Sequence, residues 1–555
     1  MTEQLRVEIV AEAGHEDDMN RARAALLDQE VIQVDFAGRD LWMVAHDVVD
    51  KGPDAGVRFT ATIQDMDTGR LLRAVGYLDE VENASLLHTS WQRPPNDEEF
   101  AWAVALLEND DALGPAIVAG EVVPYRPMPP LANRRDVDGN VDRVVAVGLR
   151  SAEGHHRIVG VRTIDGEVIP EPEGVPGPSE DDCGAPGVRA APAVAGPRQA
   201  RVRVWRGDDE VWSLLVVRPA ASSGTNGSGV ELRAVDYRGG RVLHRAHLPI
   251  LNVEFGAEGV AAGVDPAYRL WAHEEGVFEA TGEDAVTGFR LCAEPPRTIL
   301  DTGAESGDFR GVAVWVDGDD LVVVSQLEAG PYRHVNEWRL SADGTIRPRL
   351  GFVATANAQT CKPHVHHAYW RLDFDILAPE SNVIREYNDP GIRGETRWHS
   401  MRFEAKRSRD PARGRFWRIR HDRDGRDYSI NPGPADGTTG DGINGAGTTG
   451  DGINGAGTAG DFGAGDVWIL RFDPEQIDDG QGFTTDPSLA RAGLDRFLSG
   501  RPVQSRDLVV WYGVHVRHGP DEDPERAADR VGPDLVAGHW NPRTYAEPEL
   551  LADEP

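Results

Sequence analysis

Residues 361–375 of the 555-residue chain read CKPHVHHAYWRLDFD, the most informative segment of the sequence. On an extended strand, residues two apart project from the same side. His364 and His366 would therefore present two imidazoles to one ion, while His367 points away. Three imidazoles with open positions suit copper, zinc or iron, and the order of affinities favours copper. The stretch thus predicts two of the three ligands of a metal site.

The third imidazole must come from another part of the chain. His515 and His518 both follow the apolar run VVWY at residues 509–512, and either histidine could supply it. A His-x-His pair alone is a weak indication of a metal, because many such histidines lie on the surface or are hydrogen bonded. The wider sequence pattern therefore decides the interpretation.

That wider pattern resembles the copper amine oxidases. HVH at 364–366, followed five residues later by RLDFD at 371–375, is similar to the family pattern His-x-His…Arg-Leu-Asp-x-Asp. In the family, the third copper histidine follows a strand ending in a Trp-Tyr-like pair and precedes an acidic stretch. WYGVHVRHGPDED at 511–523 looks like this arrangement. The resemblance implies His518 as the third ligand, with His515 as the neighbouring alternative.

The same resemblance implies a peripheral cation site. Family members hold a calcium-type ion with the two aspartates of Arg-Leu-Asp-x-Asp and an aspartate on the strand of the third histidine. Asp373, Asp375 and Asp507 match these positions, and carboxylate oxygens suit a hard cation. The alternative is that all three are ordinary loop acids.

The resemblance extends over most of the chain and is strongest over residues 201–545. VLHRAHLPILNVEFG at 242–256 looks like the family segment Leu-x-Arg-Ala-Ser-Leu-x-Glu-Met-x-Val-Pro-Tyr-Gly, and residues 212–237 look like the strand pair before it. Two N-terminal units are similar to the small α/β domains that precede the oxidase domain. Because family members are homodimers, the resemblance also implies a homodimer.

Family members oxidise a tyrosine in Asn-Tyr-Asp/Glu-Tyr to topaquinone, using copper and oxygen. The quinone then serves to convert a primary amine to an aldehyde, with release of ammonia and hydrogen peroxide. Here LVVVSQLEAG at 321–330 leads into PYRH at 331–334, which puts Tyr332 at the quinone-forming position. Pro331, Arg333 and His334 replace the family's asparagine, acidic residue and second tyrosine. The alternative is that Tyr332 is an unmodified strand tyrosine.

The catalytic base and one cofactor contact also depart from the family. HEEGVF at 273–278 is the nearest match to Phe-Asp-x-Gly-Glu-Tyr. Glu274 takes the position of the aspartate that removes the α-proton, and a carboxylate can act as this base. Phe255 stands where the family has a tyrosine whose hydroxyl contacts the quinone.

Three functional hypotheses follow. The favoured one is a copper- and topaquinone-dependent oxidase of a small primary amine. The second is a catalytically silent, copper-binding relative that acts as a partner or scaffold subunit. The third is a mononuclear copper or zinc enzyme without a quinone, with Glu274 or His334 as its base.

Composition excludes several classes of partner. Asp and Glu number 92 against 58 Lys and Arg, a formal net charge of -34, whereas nucleic acid and anionic membranes reward basic patches. The scarcity of lysine resembles proteins of salt-loving organisms. No signal peptide and no run of about 18 apolar residues is evident, so we expect a cytoplasmic protein. We expect Cys183, Cys292 and Cys361 to be free thiols rather than a disulfide framework, although one pair is possible.

The predicted fold class is α+β, with two small α/β domains (1–92 and 93–168), a Pro-, Gly- and acid-rich linker (169–199) and a large antiparallel β-sandwich (200–547). A Gly-rich insertion at 435–465 contains a ten-residue repeat, for which a flexible loop is favoured over a calcium-binding β-roll. The segments singled out in the N-terminal domains are strands over Arg6–Ala11, Val31–Phe36, Val57–Gln64, Leu71–Leu78, Val144–Leu149 and Ile158–Arg162, and helices over Asp17–Glu30 and from Asn96 or Asp97 onward.

Overall fold

The structure is a computed structural model of the chain. It describes residues 3–13, 16–35, 48–49, 56–64, 71–88, 95, 97–127, 130–132, 142–152, 155–170, 183–185, 198–224, 228–255, 267–269, 274–329, 332–355, 358–361, 364–392, 394–437, 465–477, 493–518 and 530–540.

The first unit combines two helices with a four-stranded antiparallel sheet in the order β2-β3-β4-β5. Its apolar helix positions, including Ala22 and Leu26, pack against Phe59 and Ile63 of the sheet. The expected first helix is confirmed, and β3 and β4 pair antiparallel, as expected for the two arms of a hairpin. In chain order, the elements are β1 (Leu5–Ala11), α1 (Glu16–Leu27), α2 (Glu30–Asp35), β2 (Val48–Val49), β3 (Val57–Gln64), β4 (Leu71–Tyr77) and β5 (Ser85–His88).

The strand expected over Val31–Phe36 is wrong, because this segment forms the short helix α2. Ile32 is buried in the same apolar cluster as Leu26 of α1, and only two residues separate the two helices. Packing of Ile32 against α1 therefore overrides the β-propensity of the valines and isoleucine.

The second unit packs two helices on a five-stranded sheet in which β10, β9, β8 and β6 are neighbours and β7 pairs with β8. Ala103 and Leu107 of its first helix reach the core with Val145 and Val147, as expected for a helix that begins at Asp97. The elements are α3 (Asp97–Glu108), α4 (Gly114–Val118), β6 (Val122–Tyr125), β7 (Leu131–Ala132), β8 (Val144–Ser151), β9 (His156–Arg162) and β10 (Val168–Ile169).

The remainder of the described chain is a β-sandwich with one short α-helix, α5, and several single-turn 3₁₀ helices. Its elements are β11 (Gln199–Arg206), β12 (Asp209–Val217), β13 (Glu231–Tyr237), β14 (Gly240–Phe255), β15 (Ala267–Arg269), β16 (Glu274–Glu275), β17 (Glu283–Val286), β18 (Phe289–Leu291), α5 (Ile299–Thr302), β19 (Val312–Asp317), β20 (Asp320–Ala329), β21 (Tyr332–Ser341), β22 (Ile346–Ala354), β23 (His364–Phe374), β24 (Asn382–Tyr387), β25 (Trp398–Ser400), β26 (Ala405–Arg407), β27 (Phe416–His421), β28 (Asp427–Asn431), β29 (Val467–Arg471), β30 (Leu508–His518) and β31 (Asp534–Ala537).

Two large sheets form this sandwich. The ten-stranded sheet runs β1-β11-β12-β13-β14-β23-β30-β29-β26, with β15 paired to β14. The twelve-stranded sheet runs β17-β18-β19-β20-β21-β22-β31-β28-β27-β24-β25, with β16 paired to β20. Trp212 and Trp370 of the first sheet share one buried cluster with Trp338 and Trp417 of the second, so the main core lies between the sheets. The predicted fold class, α+β with a large antiparallel sandwich, is confirmed.

The first strand of the chain belongs to the sandwich and not to the first small sheet. β1 pairs antiparallel with β11 along its whole length, from Leu5 opposite Arg206 to Ala11 opposite Ala200. The segment before α1 therefore forms the edge of the ten-stranded sheet.

The expectation of free thiols is wrong for two of the three cysteines. Cys183 and Cys361 form a disulfide, and Cys292 is free and buried. The two segments lie together because Ala185 bridges to Thr355 and the Thr360 hydroxyl donates a hydrogen bond to the Cys183 carbonyl. This contact between distant parts of the chain is what allows the pairing.

Two further findings concern sequence features. Within the described residues, no helix is both long enough and apolar enough to cross a bilayer. Of the Gly-rich repeat, only Gly437 is among the described residues, at the end of the segment that follows β28.

Candidate metal and tyrosine site

The candidate site is built on β23, a central strand between β14 and β30. All eleven residues of β23 are buried, which explains why its sequence lacks the polar alternation of a half-exposed strand. The β23–β30 register places His364 directly opposite His518 and His367 directly opposite His515. Since neighbouring residues on a strand face opposite sides, this register separates the four histidines into two groups.

His364 and His366 share one face of β23, as the sequence predicted. Their Nε2 atoms are 3.0 Å apart, and the two residues are 0% and 4% exposed. Two imidazole nitrogens bound to one ion, each at about 2.0 Å from it, lie about 3 Å from each other. The separation of the two Nε2 atoms is close to that value. The ring of Phe352 stacks on His366 with centroids 3.9 Å apart, which fixes the plane of that imidazole. The pair is therefore arranged as two ligands of one ion could be.

His518 is the last residue of β30, and its backbone lies in register with His364. Its side chain is outside the described part of the structure. The register thus brings the backbone of the third predicted ligand beside the first, whereas its imidazole stays a prediction.

His515, the alternative third ligand, belongs to the other group. Its Nδ1 lies 2.7 Å from Nδ1 of His367, and its Nε2 lies 3.2 Å from the carboxylate of Asp466. Burial lowers the pKa of His515 to about 4, although its interaction with the Asp466 carboxylate acts in the opposite direction. Burial raises the pKa of Asp466, but the contacts with His515 and Arg409 bring it to about 2. His515 is thus committed to a buried polar chain away from His364.

Tyr332 reaches this site from the other sheet. It begins β21 in the twelve-stranded sheet, and its hydroxyl lies 2.7 Å from Nε2 of His364. Its ring makes an edge contact with His366 at a centroid distance of 4.7 Å. Tyr332 is 0% exposed, and burial raises the pKa of its phenol well above the usual value. The structure therefore brings Tyr332, His364 and His366 together between the two sheets.

The residues after Tyr332 have separate environments. Arg333 makes a buried ion pair with Glu305 at 2.6 Å and a second with Glu328 at 3.1 Å. His334 is 1% exposed, and neither ring nitrogen has a hydrogen-bond partner among the described residues. Burial lowers the pKa of His334 to about 3, and the charge of Arg333 acts in the same direction. His334 is therefore neutral beside Tyr332, from which its ring centroid is 6.0 Å away.

The predicted base lies on β16, next to β20. Glu274 is in register with Glu328, and Glu275 is in register with Leu327. The side chain of Glu274 lies outside the described residues, as do those of Phe255 and Pro331. Glu275 is 1% exposed and its carboxylate pairs with the buried guanidinium of Arg218. The two adjacent glutamates are thus distinguished by a structural ion pair at Glu275.

The three aspartates predicted as a peripheral cation site are close together. One carboxylate oxygen from each of Asp373, Asp375 and Asp507 lies within 4.8 Å of the others. Asp373 also accepts a hydrogen bond of 3.1 Å from Arg371. Three converging carboxylates repel one another unless positive charge lies nearby, so this grouping suits a hard divalent cation.

Sequence reasoning missed the stacking of Phe352 on His366 and the pairing of His367 with His515. The alternation of side chains along β23 does signal that His367 faces away from His366. Its partner, His515, can be identified only from the β23–β30 register. The contact of Phe352 with His366 can be identified only from the packing of one sheet on the other.

Known structures share this architecture. The chain is similar to the crystal structure of a copper-containing benzylamine oxidase from Hansenula polymorpha, with a TM-score of 0.61, 12% identity and coverage of 96% of this chain and 97% of that chain. It is also similar to the lysyl oxidase PPLO of Pichia pastoris, with a TM-score of 0.56, 11% identity and coverage of 97% and 92%.

A third similar structure is an amine oxidase from Aspergillus nidulans, with a TM-score of 0.53, 12% identity and coverage of 98% of this chain and 91% of that chain. No family model and no curated protein matches the sequence. At these identities the likeness establishes the fold.

Proposed function

We propose that this chain, which has a copper amine oxidase-like fold, is a copper-dependent oxidase of a small primary amine. The observation that carries the proposal is the contact of 2.7 Å between the Tyr332 hydroxyl and Nε2 of His364. A tyrosine at this distance from a candidate ligand is where a copper-dependent oxidation of its ring would take place.

His364, His366 and His518 would hold the copper in this proposal. The described members of the set support it, because their imidazole nitrogens converge at 3.0 Å in a buried position. Copper bound there would supply, with oxygen, the oxidation of Tyr332 to topaquinone, which in turn accepts electrons from the amine. Residues of the chain itself would orient the phenol and remove the α-proton of the amine.

Tyr332 would enter the reaction as a neutral phenol, because burial holds its pKa well above the usual value. The hydroxyl can donate its proton to Nε2 of His364 when that nitrogen is free, and the ring is held in place by its edge contact with His366. The guanidinium of Arg333 is paired with Glu305. The phenol hydroxyl therefore interacts with His364 and not with Arg333. Packing of the two sheets thus orients the phenol against the two histidines.

Glu274 would remove the α-proton of the bound amine. Its support is the motif match and its position on β16, which is paired to the strand that leads to Tyr332. The substrates would be a primary amine and oxygen, and the products an aldehyde, ammonia and hydrogen peroxide. We further propose a peripheral calcium-type ion at Asp373, Asp375 and Asp507, a homodimer, and a cytoplasmic location.

A mass spectrum of the peptide that contains Tyr332 tests the proposal. After incubation with copper and oxygen, this peptide should gain two oxygen atoms and lose two hydrogens, and the protein should redox-cycle in a quinone stain. The Tyr332→Phe variant should bind copper and give no stain. An unmodified Tyr332 in copper-loaded, aerated protein would contradict the proposal.

The second candidate is a silent, copper-binding relative that serves as a partner or scaffold subunit. The observation that favours it is the enclosure of Tyr332, which is 0% exposed and packs with Val253, Phe352 and Ala354. Copper binding without amine-dependent peroxide, together with an unmodified Tyr332, would support this candidate. Peroxide that is lost in Tyr332→Phe would eliminate it.

A further inference from the structure

One further buried histidine, His334, lies between the two sheets beside the candidate metal site. It is on β21, two residues after Tyr332, so both side chains project from the same face of that strand. The ring centroids of Tyr332 and His334 are 6.0 Å apart. The ring of His366, which belongs to the other sheet, has its centroid 6.1 Å from that of His334. His334 therefore shares one buried space with a candidate ligand and with the tyrosine.

The imidazole of His334 has no hydrogen-bond partner among the described residues. The side chain is 1% exposed, and both Nδ1 and Nε2 lack a partner there. Each buried polar group left unsatisfied costs about 1–3 kcal/mol. A water shared with Asn336, whose Nδ2 also lacks a described partner, would satisfy one ring nitrogen. The other nitrogen would still need a partner, and a neutral imidazole nitrogen is a common metal ligand.

The distances between the rings suit ligands of one ion. The centroid of an imidazole lies about 3.1 Å from a metal that its nitrogen binds at about 2.0 Å, so two such centroids lie no more than about 6.2 Å apart. The centroids of His364 and His366 are 4.9 Å apart, and those of His334 and His366 are 6.1 Å apart. The first separation is that of neighbouring ligands, and the second is that of ligands on nearly opposite sides of the ion.

The neighbouring aromatic rings lie beside the line that joins His334 to His366. Phe352 stacks on His366 at 3.9 Å, but its centroid is 6.1 Å from that of His334. Tyr332 is 4.7 Å from His366 and 6.0 Å from His334. Each ring is thus about as far from His334 as His366 is, and neither stands between the two imidazoles. An ion held by His366 is therefore within reach of His334.

We propose that His334 is an additional ligand of the metal ion that His364 and His366 hold. This inference rests on the copper site of the proposed function and adds to it an imidazole from the second sheet. One ring nitrogen binds the ion, and the other donates its proton to the water shared with Asn336. Imidazole suits copper as a ligand, and the ion then joins β21 to β23 across the sandwich. Because the copper amine oxidases have a tyrosine at this position, the added imidazole distinguishes this chain from the family that it resembles.

Pulsed EPR of the copper(II)-loaded full chain tests the assignment, because the remote nitrogen of each coordinated imidazole modulates the echo. Wild type should show one more coupled imidazole than His334→Gln, and this variant should bind copper at least about tenfold more weakly against a competing chelator. His247→Gln is the matched control. His247 is 0% exposed and neither of its ring nitrogens has a described partner, but it is in register with Arg371, on the opposite face of β23 from His366. The control should keep the couplings and the affinity of wild type.

His334→Tyr is the second variant, because it introduces the residue that the family has there and keeps a large aromatic ring. Loss of one imidazole coupling in both His334→Tyr and His334→Gln would show that a nitrogen ligand is lost, whatever the change in packing. Equal couplings in wild type and both variants would overturn the inference and leave the proposed function standing. Failure of the wild type to bind copper would overturn both.

Discussion

The hydroxyl of Tyr332 lies 2.7 Å from Nε2 of His364, although the two residues begin strands of different sheets. β21 carries the tyrosine in the twelve-stranded sheet, and β23 carries the histidine in the ten-stranded sheet. The contact therefore depends on the packing of the whole sandwich and is sensitive to changes at either strand.

His364→Ala removes a proposed copper ligand and the partner of the Tyr332 hydroxyl. Changes to residues that only support a ligand cost about 10–100-fold in metal affinity, so we expect the loss of His364 to exceed this range. Copper titration against a competing chelator measures the affinity. His515→Gln is the control, because His515 contacts His367 on the opposite face and should leave the affinity within a few-fold of wild type. Equal losses in both variants would contradict the assignment.

Much of this site follows from local sequence. Alternation along a strand is enough to place His364 and His366 on one face and His367 on the other, and the structure agrees. The choice of His518 over His515 as the third ligand rests on the resemblance in the sequence. In the β23–β30 register, His518 lies opposite His364 and His515 lies opposite His367. This register joins residues about 150 positions apart, and no short-range pattern encodes it.

The features that sequence reasoning missed share this long-range origin. Cys183 and Cys361 are 178 residues apart, and their pairing accompanies the bridge between Ala185 and Thr355. The helix α2 replaced an expected strand because Ile32 packs against α1. In each instance the deciding contact is tertiary, whereas propensity and periodicity report only on neighbouring residues.

The disulfide should stabilise both the fold and the start of β23, since Cys361 precedes the candidate ligand His364 by three residues. A cross-link that closes a loop of this length contributes about 5 kcal/mol in the chain-entropy model. Cys361→Ser should therefore lower the denaturation midpoint, and added reductant should have little further effect on the variant. Cys292→Ser, a change at the free buried cysteine, is the control. Alkylation of three thiols in denatured, unreduced protein would show that the bond is absent.

Acid should destabilise the fold through its buried neutral histidines, among them His247 and His515. Burial lowers the pKa of His247 to about 3 and that of His515 to about 4, against about 6.5 in the unfolded chain. The unfolded state therefore binds more protons below pH 6.5. The stability that each neutral histidine contributes is fully present above that pH, and it is lost as the pH falls toward 4 and 3.

In this window each histidine adds a slope of about 1.4 kcal/mol per pH unit to the free energy of unfolding. Guanidinium denaturation of the metal-free protein at pH 7 and pH 5, at fixed ionic strength, measures the slope. His515→Gln and His247→Leu should each reduce it. A slope that is identical in wild type and both variants would show that these residues do not drive the acid sensitivity.

The carboxylates of Asp373, Asp375 and Asp507 predict a stabilising effect of calcium. A ligand that binds only the folded state adds about 2.7 kcal/mol when its concentration is 100 times Kd. Calcium should thus raise the Tm of wild type, and Asp507→Asn should abolish most of the rise. Asp534→Asn, at an acid of β31 that pairs with Arg349, is the control for general screening of acidic charge. A calcium response that is equal in all three proteins would identify screening as its only cause.

Loss of the negative charge should affect activity at Glu274 and stability at Glu275. Glu275 pairs with Arg218 at a position where both side chains are buried, and breaking such a pair costs about 3–5 kcal/mol. Glu275→Gln should therefore lower stability. Glu274→Gln should leave stability near wild type and lower kcat about 100- to 10,000-fold, the contribution of a general base. Peroxide release with a primary amine measures kcat, and denaturant unfolding measures stability. A Glu274→Gln variant with full activity would exclude Glu274 as the base, and the carboxylate on β16 would then have only a structural role through Glu275.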